Sequence, residues 1–455
     1  MFVRYERAGS RFRFVLSPTA NEKAKKPGTS LGIHAASVEL PYDVGSVHPD
    51  ILAVCAFLIA GPFATEELTF ESGISPQLAD AFALIKPGCK IGPVDPELSP
   101  RKRPGNGKPG LCFSGGADST AAVALLPPQT ELFFLKRITP LHRAGESPWS
   151  AFKRSARSAA RILLNRKSYH KSSEAGVRFC EALQKDGRTA FVIGSDLEYV
   201  RDPTGFPHHM SCSVPLLLMA ESRNLDTIAW GTIGEAAYRF GSKGKYVDFA
   251  ARNVFKHYNA LFSALGLPFY NPVVGLSEVT TSRIALSSGY HAYVQSCSRE
   301  MIEPCGGCIK CFRKSLLNAT VSGRWPTDKE FDRFFAGSEI RQYLEKTPIK
   351  LENVYAFVTS YYDGKHPTML ALKRRVRGGE VPVAWMTKYI PSYIDQAPAE
   401  YRSHLAESLS RFTAPMSEQD LQDMMSWDVT AIGSDPQVAQ HARDLRSLLG
   451  RQSQL

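Results

Sequence analysis

Two stretches of this chain combine residue types and spacings that could do chemistry. The first runs from Pro109 to Leu126 and reads P-G-L-C-F-S-G-G-A-D-S-T-A-A-V-A-L-L. Leu111, Cys112 and Phe113 read as the end of a buried strand, Ser114 to Ser119 as a tight turn, and Thr120 onward as an alanine-rich helix. Gly115 and Gly116 let the backbone approach an anion with no Cβ in the way, and the free N–H groups and positive dipole end of the helix then face its oxygens. Ser114, Ser119 and Thr120 add hydroxyl donors, and Ala117 completes the cradle. Asp118 is out of place beside a phosphate unless a divalent cation bridges the two. The loop therefore implies ATP with Mg2+, and the lack of a G-x-x-x-x-G-K-[ST] pattern argues against γ-phosphate hydrolysis.

The second stretch is V-Q-S-C-S-R-E-M-I-E-P-C-G-G-C-I-K-C-F-R-K-S, with thiols at Cys297, Cys305, Cys308 and Cys311. Two overlapping C-x-x-C steps and a fourth thiol upstream offer four soft ligands, enough to close a tetrahedron, while Gly306 and Gly307 free the backbone to wrap an ion. Structural Zn2+ is the expectation. A [4Fe-4S] cluster uses the same four-thiolate chemistry, and a disulfide pair is the weakest reading in a reducing compartment.

Length and composition bound the rest. With 455 residues, 43% of them hydrophobic, the chain is long enough for two or three domains. Its longest apolar run, Ile51 to Phe63, is broken by Gly61 and Pro62 and is well short of the ~20 residues of a membrane span. Arg4, Glu6, Arg7, Arg11 and Arg13 interrupt any secretory leader pattern. A cytoplasmic protein with no membrane partner is expected. The net charge of +11 suits phosphate-bearing partners, whether ATP, another nucleotide or nucleic acid, and chooses among none of them.

These motifs need elements to position them. Residues 1–95 read as an N-terminal α+β extension, with strands over Val3 to Leu16 and Ala36 to Pro41 and a helix over Pro49 to Ala60. Residues 96–110 form a basic Pro/Gly linker in which Arg101, Lys102, Arg103 and Lys108 read as solvated. From 111 to 325, strand and helix alternate: strands at Glu131 to Leu135, Ala190 to Gly194 and Thr227 to Gly231, helices at Pro148 to Leu164 and Met210 to Arg223. That order predicts an α/β fold with a doubly wound parallel sheet, where ligands gather at the carboxyl ends of the strands. Leu135, Lys136, Arg137, Ser195, Asp196 and Gly231 to Glu235 fall there, so Leu135 and Gly231 join the cofactor set and Lys136 joins Asp118 and Ser119 as a catalytic candidate. Residues 326–455 read as a mainly helical C-terminal extension, with helices over Thr327 to Ala336, Glu339 to Leu344, Pro398 to Leu409, Ser417 to Ser426 and Pro436 to Leu449. Its one strong charge run, Leu372 to Gly379, reads equally as a solvated turn or a binding surface.

S-G-G-x-D-S after an apolar strand resembles the signature of the PP-loop ATP pyrophosphatases, which split ATP between the α and β phosphates. Taken with C-x7-C-x2-C-x2-C, it resembles the QueC family of 7-cyano-7-deazaguanine synthases over roughly residues 110–320, with the motifs in the family's order. The resemblance implies the PP-loop, adenine-nucleotide α-hydrolase-like (HUP-like) fold and favours zinc in the knot at 297–311. Lys245 to Phe249 sits where the family carries Y-P-D-C beside its base pocket, and Asn271 to Val274 resembles its late proline-bearing strand. Asp248 is thereby implied as the reader of a guanine-like edge, with Tyr246 and Glu235 also lining the substrate; a carboxylate can accept from the ring N–H and the exocyclic amine together. The pattern also departs from the family. Gly231 to Glu235 replaces its acidic loop, His208 to Cys212 replaces an R-N pair, Glu278 stands for a lysine, and the two flanking extensions have no counterpart in the compact synthase. Enlarged QueC-like proteins occur in anti-phage defence clusters, and this chain resembles that branch at least as well.

The resemblance implies an ATP-dependent C–N ligase that adenylates the carboxylate of a 7-carboxy-7-deazaguanine-like substrate and passes the acyl group to an amine. With a protein amine the product is an amide, and a protein acceptor or defence-system partner follows. With ammonia and a second ATP the product is the nitrile of queuosine biosynthesis. The rivals are a PP-loop tRNA-modifying thiolase or adenylase and a non-catalytic nucleotide-sensing scaffold. Nucleic-acid binding and a homodimer stay open.

Overall fold

The computed structural model describes residues 1–19, 22, 28–140, 173–241, 245–297 and 304–451. The helix expected over Pro148 to Leu164 lies outside them. Two compact units interleave along the chain: Met1–Ser114, Pro128–Trp230 and Asn253–Tyr270 form the first, and Gly115–Pro127, Gly231–Arg252 and Asn271–Leu455 the second.

The first unit is built on one mixed, mostly parallel sheet of ten strands. Its strands are β1 (Phe2–Ala8), β2 (Arg11–Ser17), β4 (Ala35–Glu39), β5 (Glu67–Ile74), β6 (Lys90–Val94), β7 (Lys108–Phe113), β8 (Glu131–Arg137), β9 (Ala190–Ser195), β11 (Leu225–Ala229) and β12 (Phe269–Tyr270). They lie in the order β12-β11-β7-β8-β9-β4-β2-β1-β5-β6. A separate two-stranded ribbon pairs β3 (Ser30–Leu31) with β10 (Arg201–Asp202). The pairs from β12 to β9 are parallel, as are β1–β5 and β5–β6, whereas β9–β4, β4–β2 and β2–β1 are antiparallel. Val38 of β4 faces Ser195 of β9, so the N-terminal strands continue the sheet that carries β7.

Local chemistry explains these elements, including where they depart from the patterns above. Val3 to Leu16 is a hairpin of two strands rather than one, because Gly9 reverses the chain at φ +57° between Ala8 and Arg11. Leu111, Cys112 and Phe113 are all buried, the continuous apolar run that a parallel strand covered on both faces requires. The Pro49–Ala60 helix has the expected bounds and is buried on nearly every side. At ~1.5–3 kcal/mol for each of Ile51, Val54, Phe57, Leu58 and Ile59 taken from water, its apolar run is accounted for as core. Among the described residues, no helix is long and apolar enough to cross a membrane.

Two stretches fold differently from their sequence pattern. Arg101 is not solvated linker: it is buried and donates to the carbonyls of Leu225 and Leu265 at 2.9 and 2.8 Å, whereas Lys102 and Arg103 are exposed, Arg103 donating to the Asp226 carbonyl at 3.0 Å. The hydrogen bonds of Arg101 to these buried carbonyls offset taking its guanidinium out of water. Met210 to Arg223 is likewise not one helix. A 3-10 turn at Ser211–Ser213 leads into a short helix, Val214–Met219, because Pro215 suits only a first helical turn.

The second unit is helical. The helix Ala117–Leu125 packs on the helix Glu278–Ser287, which packs in turn on the helix Ile309–Ser322. Phe312 anchors the last of these among Phe334, Phe335 and Tyr355, with ring centroids 5.3, 5.3 and 6.2 Å away. The expected C-terminal helices form as Asp328–Ala336, Ser338–Leu344, Ala399–Ser410, Glu418–Ser426 and Pro436–Arg451. Thr327 with Glu330 and Ser417 with Asp420 supply capping boxes for two of them. Glu352–Ser360 and Pro367–Arg375 are further helices, and the second corrects the reading of Leu372 to Gly379. Lys373, Arg374 and Arg375 form its last turn, where cations suit the dipole, and Arg375 is wholly buried in an ion pair with Glu352 at 3.1 Å.

Candidate functional site

The strand, glycine loop and helix read from residues 109 to 126 are present. β7 ends at Phe113, Ser114 is exposed, Gly115 turns at φ +73°, and the helix opens at Ala117 with no side-chain cap on its first N–H groups. A side chain with a Cβ would strain this turn, and the uncapped amides are the ones an anion would satisfy. The Ser119 and Thr120 hydroxyls both donate to the Gly116 carbonyl, at 3.1 and 2.9 Å, and so brace the first helical turn. Gly231 belongs to the same unit, and a Cβ placed on it would lie 3.4 Å from the Ser119 amide nitrogen. Leu135 and Lys136 lie on β8 in the first unit, where the neighbouring Arg137 is committed to an ion pair with Glu198.

Asp118 occupies the first turn of the helix, half-buried. Its Oδ1 accepts from the Thr281 hydroxyl at 2.7 Å. Burial pushes its carboxyl above the usual range, and the Lys314 ammonium opposes that rise. Lys314 is also bound to Glu278, which accepts from Arg313 Nε at 3.0 Å and lies 3.1 Å from Lys314 Nζ. Burial works against ionising Glu278, but the two cations outweigh it and hold the carboxyl down at about 2. Glu235 is the opposite case. It too is buried, its carboxyl oxygens accept from the Glu278 amide at 2.9 and 3.0 Å and from Asn353 Nδ2 at 3.2 Å, and burial raises it to about 8. Thr281, Arg313 and Lys314 carry no recognisable motif. The signal available was spacing alone, since Glu278 and Thr281 at i and i+3 share a helix face.

The four cysteines come together as expected. One ligand atom from each of Cys297, Cys305, Cys308 and Cys311 lies within 4.8 Å of all the others. The Sγ atoms of Cys308 and Cys305 are 3.4 and 3.9 Å from that of Cys311, close to the ~3.8 Å edge of a tetrahedron with Zn–S bonds of about 2.3 Å. Burial raises the Cys305 thiol to about 11 and neighbouring thiols push it the same way, so a cation is what would hold such a cluster as thiolates. The donor set fits a metal such as zinc. Cys308 also caps the Ile309–Ser322 helix by accepting from the Cys311 amide, tying the cluster to Arg313 and Lys314.

The remaining substrate candidates lie apart from that network. Tyr246 stacks on Tyr238 at 5.7 Å with an interplanar angle of 6°, and Asp248 is exposed, its Oδ1 accepting from the Ala250 amide at 3.3 Å. In the first unit, His208 and His209 stack at 4.5 Å, and the Tyr258 hydroxyl lies 3.2 and 3.3 Å from their ring nitrogens.

Residues 257–428 match a protein family described as of unknown function (DUF6395). That stretch contains the four cysteines, Glu278, Thr281, Arg313 and Lys314, while the loop at Ser114 to Thr120 precedes it. Neither a curated protein nor a solved structure matches the chain.

Proposed function

We propose that this protein is an ATP-dependent C–N ligase of the QueC-like type, with a PP-loop ATP site and a structural zinc in the four-cysteine knot. It adenylates the carboxylate of a 7-carboxy-7-deazaguanine-like substrate and transfers the acyl group to an amine. The observation that carries this reading is the loop itself: a positive-φ Gly115, an uncapped helix starting at Ala117, and in its first turn a carboxylate held by Thr281.

The chemistry follows from the leaving group. A carboxylate cannot be displaced as oxide, so its oxygen attacks the α-phosphorus of ATP and the bond to the bridging oxygen breaks, releasing pyrophosphate. The amine nitrogen then attacks the acyl carbon, the bond to AMP oxygen breaks, and the amine proton leaves to solvent. The loop amides from Gly116 to Ser119 bind and orient the polyphosphate. Asp118 would hold a Mg2+, which would supply the remaining charge neutralisation.

The acceptor proposed is a protein amine. Ammonia needs no docking surface, whereas a peptide terminus requires on the order of 800 Å² of interface on each partner, and residues 326–455 supply helical surface beyond the loop and the knot. Intact-mass measurement of proteins co-expressed with this chain is expected to show one carrying an added deazaguanine, lost with Asp118→Ala. Conversion of the carboxylate and ammonium to the nitrile, with no protein gaining mass, would favour the biosynthetic synthase instead.

A further inference from the structure

We infer that the acyl substrate sits in a cavity of about 480 Å³ between the loop helix and the cysteine knot, where Lys310, Lys314 and Trp325 recognise a planar heterocycle bearing a carboxylate. This rests on the adenylation reading above and names the pocket that serves it. Every residue lining the cavity belongs to the second unit.

Location comes first. Ala117, the opening residue of the loop helix, is part of the cavity wall, and Gln295, also in the wall, donates its amide to the Gly115 carbonyl at 3.0 Å. A carboxylate that must attack an α-phosphate held by that loop has to lie beside Ala117. The opposite side of the wall is the knot, through Cys297, Gly306 and Cys311.

Charge points the same way. Lys310, Lys314 and Arg324 line the cavity against one carboxylate, Glu330, which is already engaged with Thr327 at 2.8 and 2.9 Å. The Lys314 ammonium has three hydrogens; among the described residues Glu278 Oε1 at 3.1 Å and Ser282 Oγ at 2.8 Å take two, which leaves one for a ligand. A cation in that position, close enough to Asp118 to act on it, would grip a carboxylate on the side nearest the loop.

Shape and polarity give the rest. Trp325 is half-buried in the wall, its ring perpendicular to that of Tyr362 at 5.1 Å, and is an aromatic side chain of the kind that stacks a heterocycle. Asn318 and Ser315 supply neutral donors and acceptors of the kind a 2-amino-4-oxo ring needs. The volume lies within the 300–1,000 Å³ typical of small-molecule sites. Asp248 and Glu235 are absent from this lining, so the specificity residues differ from those the family pattern implies.

The test uses the full chain, with 7-carboxy-7-deazaguanine as probe. AMP formation is followed against probe concentration at saturating ATP, and probe binding is measured calorimetrically without ATP. Lys310→Met and Trp325→Leu, both outside the buried network around Glu278, are each expected to raise KM and Kd for the probe tenfold or more. The KM for ATP is expected to stay within twofold. Unchanged probe KM and Kd in both variants, or a rise in the KM for ATP alone, would overturn the assignment. If the wild-type chain forms no AMP, the adenylation reading fails while calorimetry still decides the pocket: probe binding lost in the variants supports it, and no binding to the wild type removes it.

Discussion

Thr281 donates its hydroxyl hydrogen to Asp118 Oδ1 at 2.7 Å, so one threonine fixes the carboxylate on which the proposed cation site depends. Replacing it by valine keeps the shape and removes the donor. The cost of an unmet hydrogen bond at a half-buried carboxylate is ~1–3 kcal/mol, so kcat for AMP formation is expected to fall about 10- to 100-fold in Thr281→Val, while Thr281→Ser recovers most of it. Steady-state kinetics across 0.1–20 mM Mg2+, a span of roughly two decades, check this: the valine variant should need more Mg2+ for half-maximal rate. An unchanged rate and Mg2+ dependence would show that Thr281 serves helix packing alone.

The cysteine knot is expected to hold about one zinc per chain. Cys308 is fully buried and caps the helix that carries Arg313 and Lys314, so Cys308→Ser should lower the melting temperature and the bound zinc together. Elemental analysis and thermal melts with and without a chelator check it. A brown, iron-rich protein, or one whose stability ignores the chelator, would rule out a structural zinc.

Glu235 gives a pH dependence whose sign follows from its raised folded value. In the unfolded chain it titrates near 4.5, and in the fold near 8. Its contribution to stability is therefore full below about 4.5 and is lost as pH rises toward 8. The loss is on the order of a few kcal/mol, since a tenfold change in proton affinity is worth about 1.4 kcal/mol. Denaturant titrations of wild type and Glu235→Gln between pH 5 and 9, roughly the window these values define, should converge at the acid end and diverge at the alkaline end, with the variant more stable there. Parallel curves would mean that Glu235 is ionised in the fold.

The loop and the knot were legible in the sequence because their chemistry is local. Gly115, Asp118 and the four cysteines sit within short spans, and spacing alone says what they can do. The C-terminal amphipathic stretches were readable for a similar reason, since an amphipathic helix declares its own period, and Pro49 to Ala60, buried on nearly every side, was readable from its apolar run behind a proline. What was not legible depends on partners distant in sequence. Arg101 meets the carbonyl of Leu265, Arg375 meets Glu352, and β4 meets β9 across more than 150 residues, so Arg101 read as solvated and nothing in residues 1–95 announced that their strands would join the sheet of β7. The charged network at Glu278 was hidden for another reason. Buried ion pairs are made by tertiary packing, and nothing in S-E-V-T-T-S announces that Arg313 and Lys314 will close over it.

Cleavage of ATP between its α and β phosphates at the Ser114 to Thr120 loop, to activate a carboxylate, is the step on which the proposed function stands. It is read from the products of ATP consumed by the pure chain with 7-carboxy-7-deazaguanine and Mg2+, in wild type and in Asp118→Ala, the fold of the variant being checked by circular dichroism. AMP and pyrophosphate in equal amounts are expected from the wild type, and neither from the variant. ADP and phosphate as products, or AMP released equally by both proteins, would refute it.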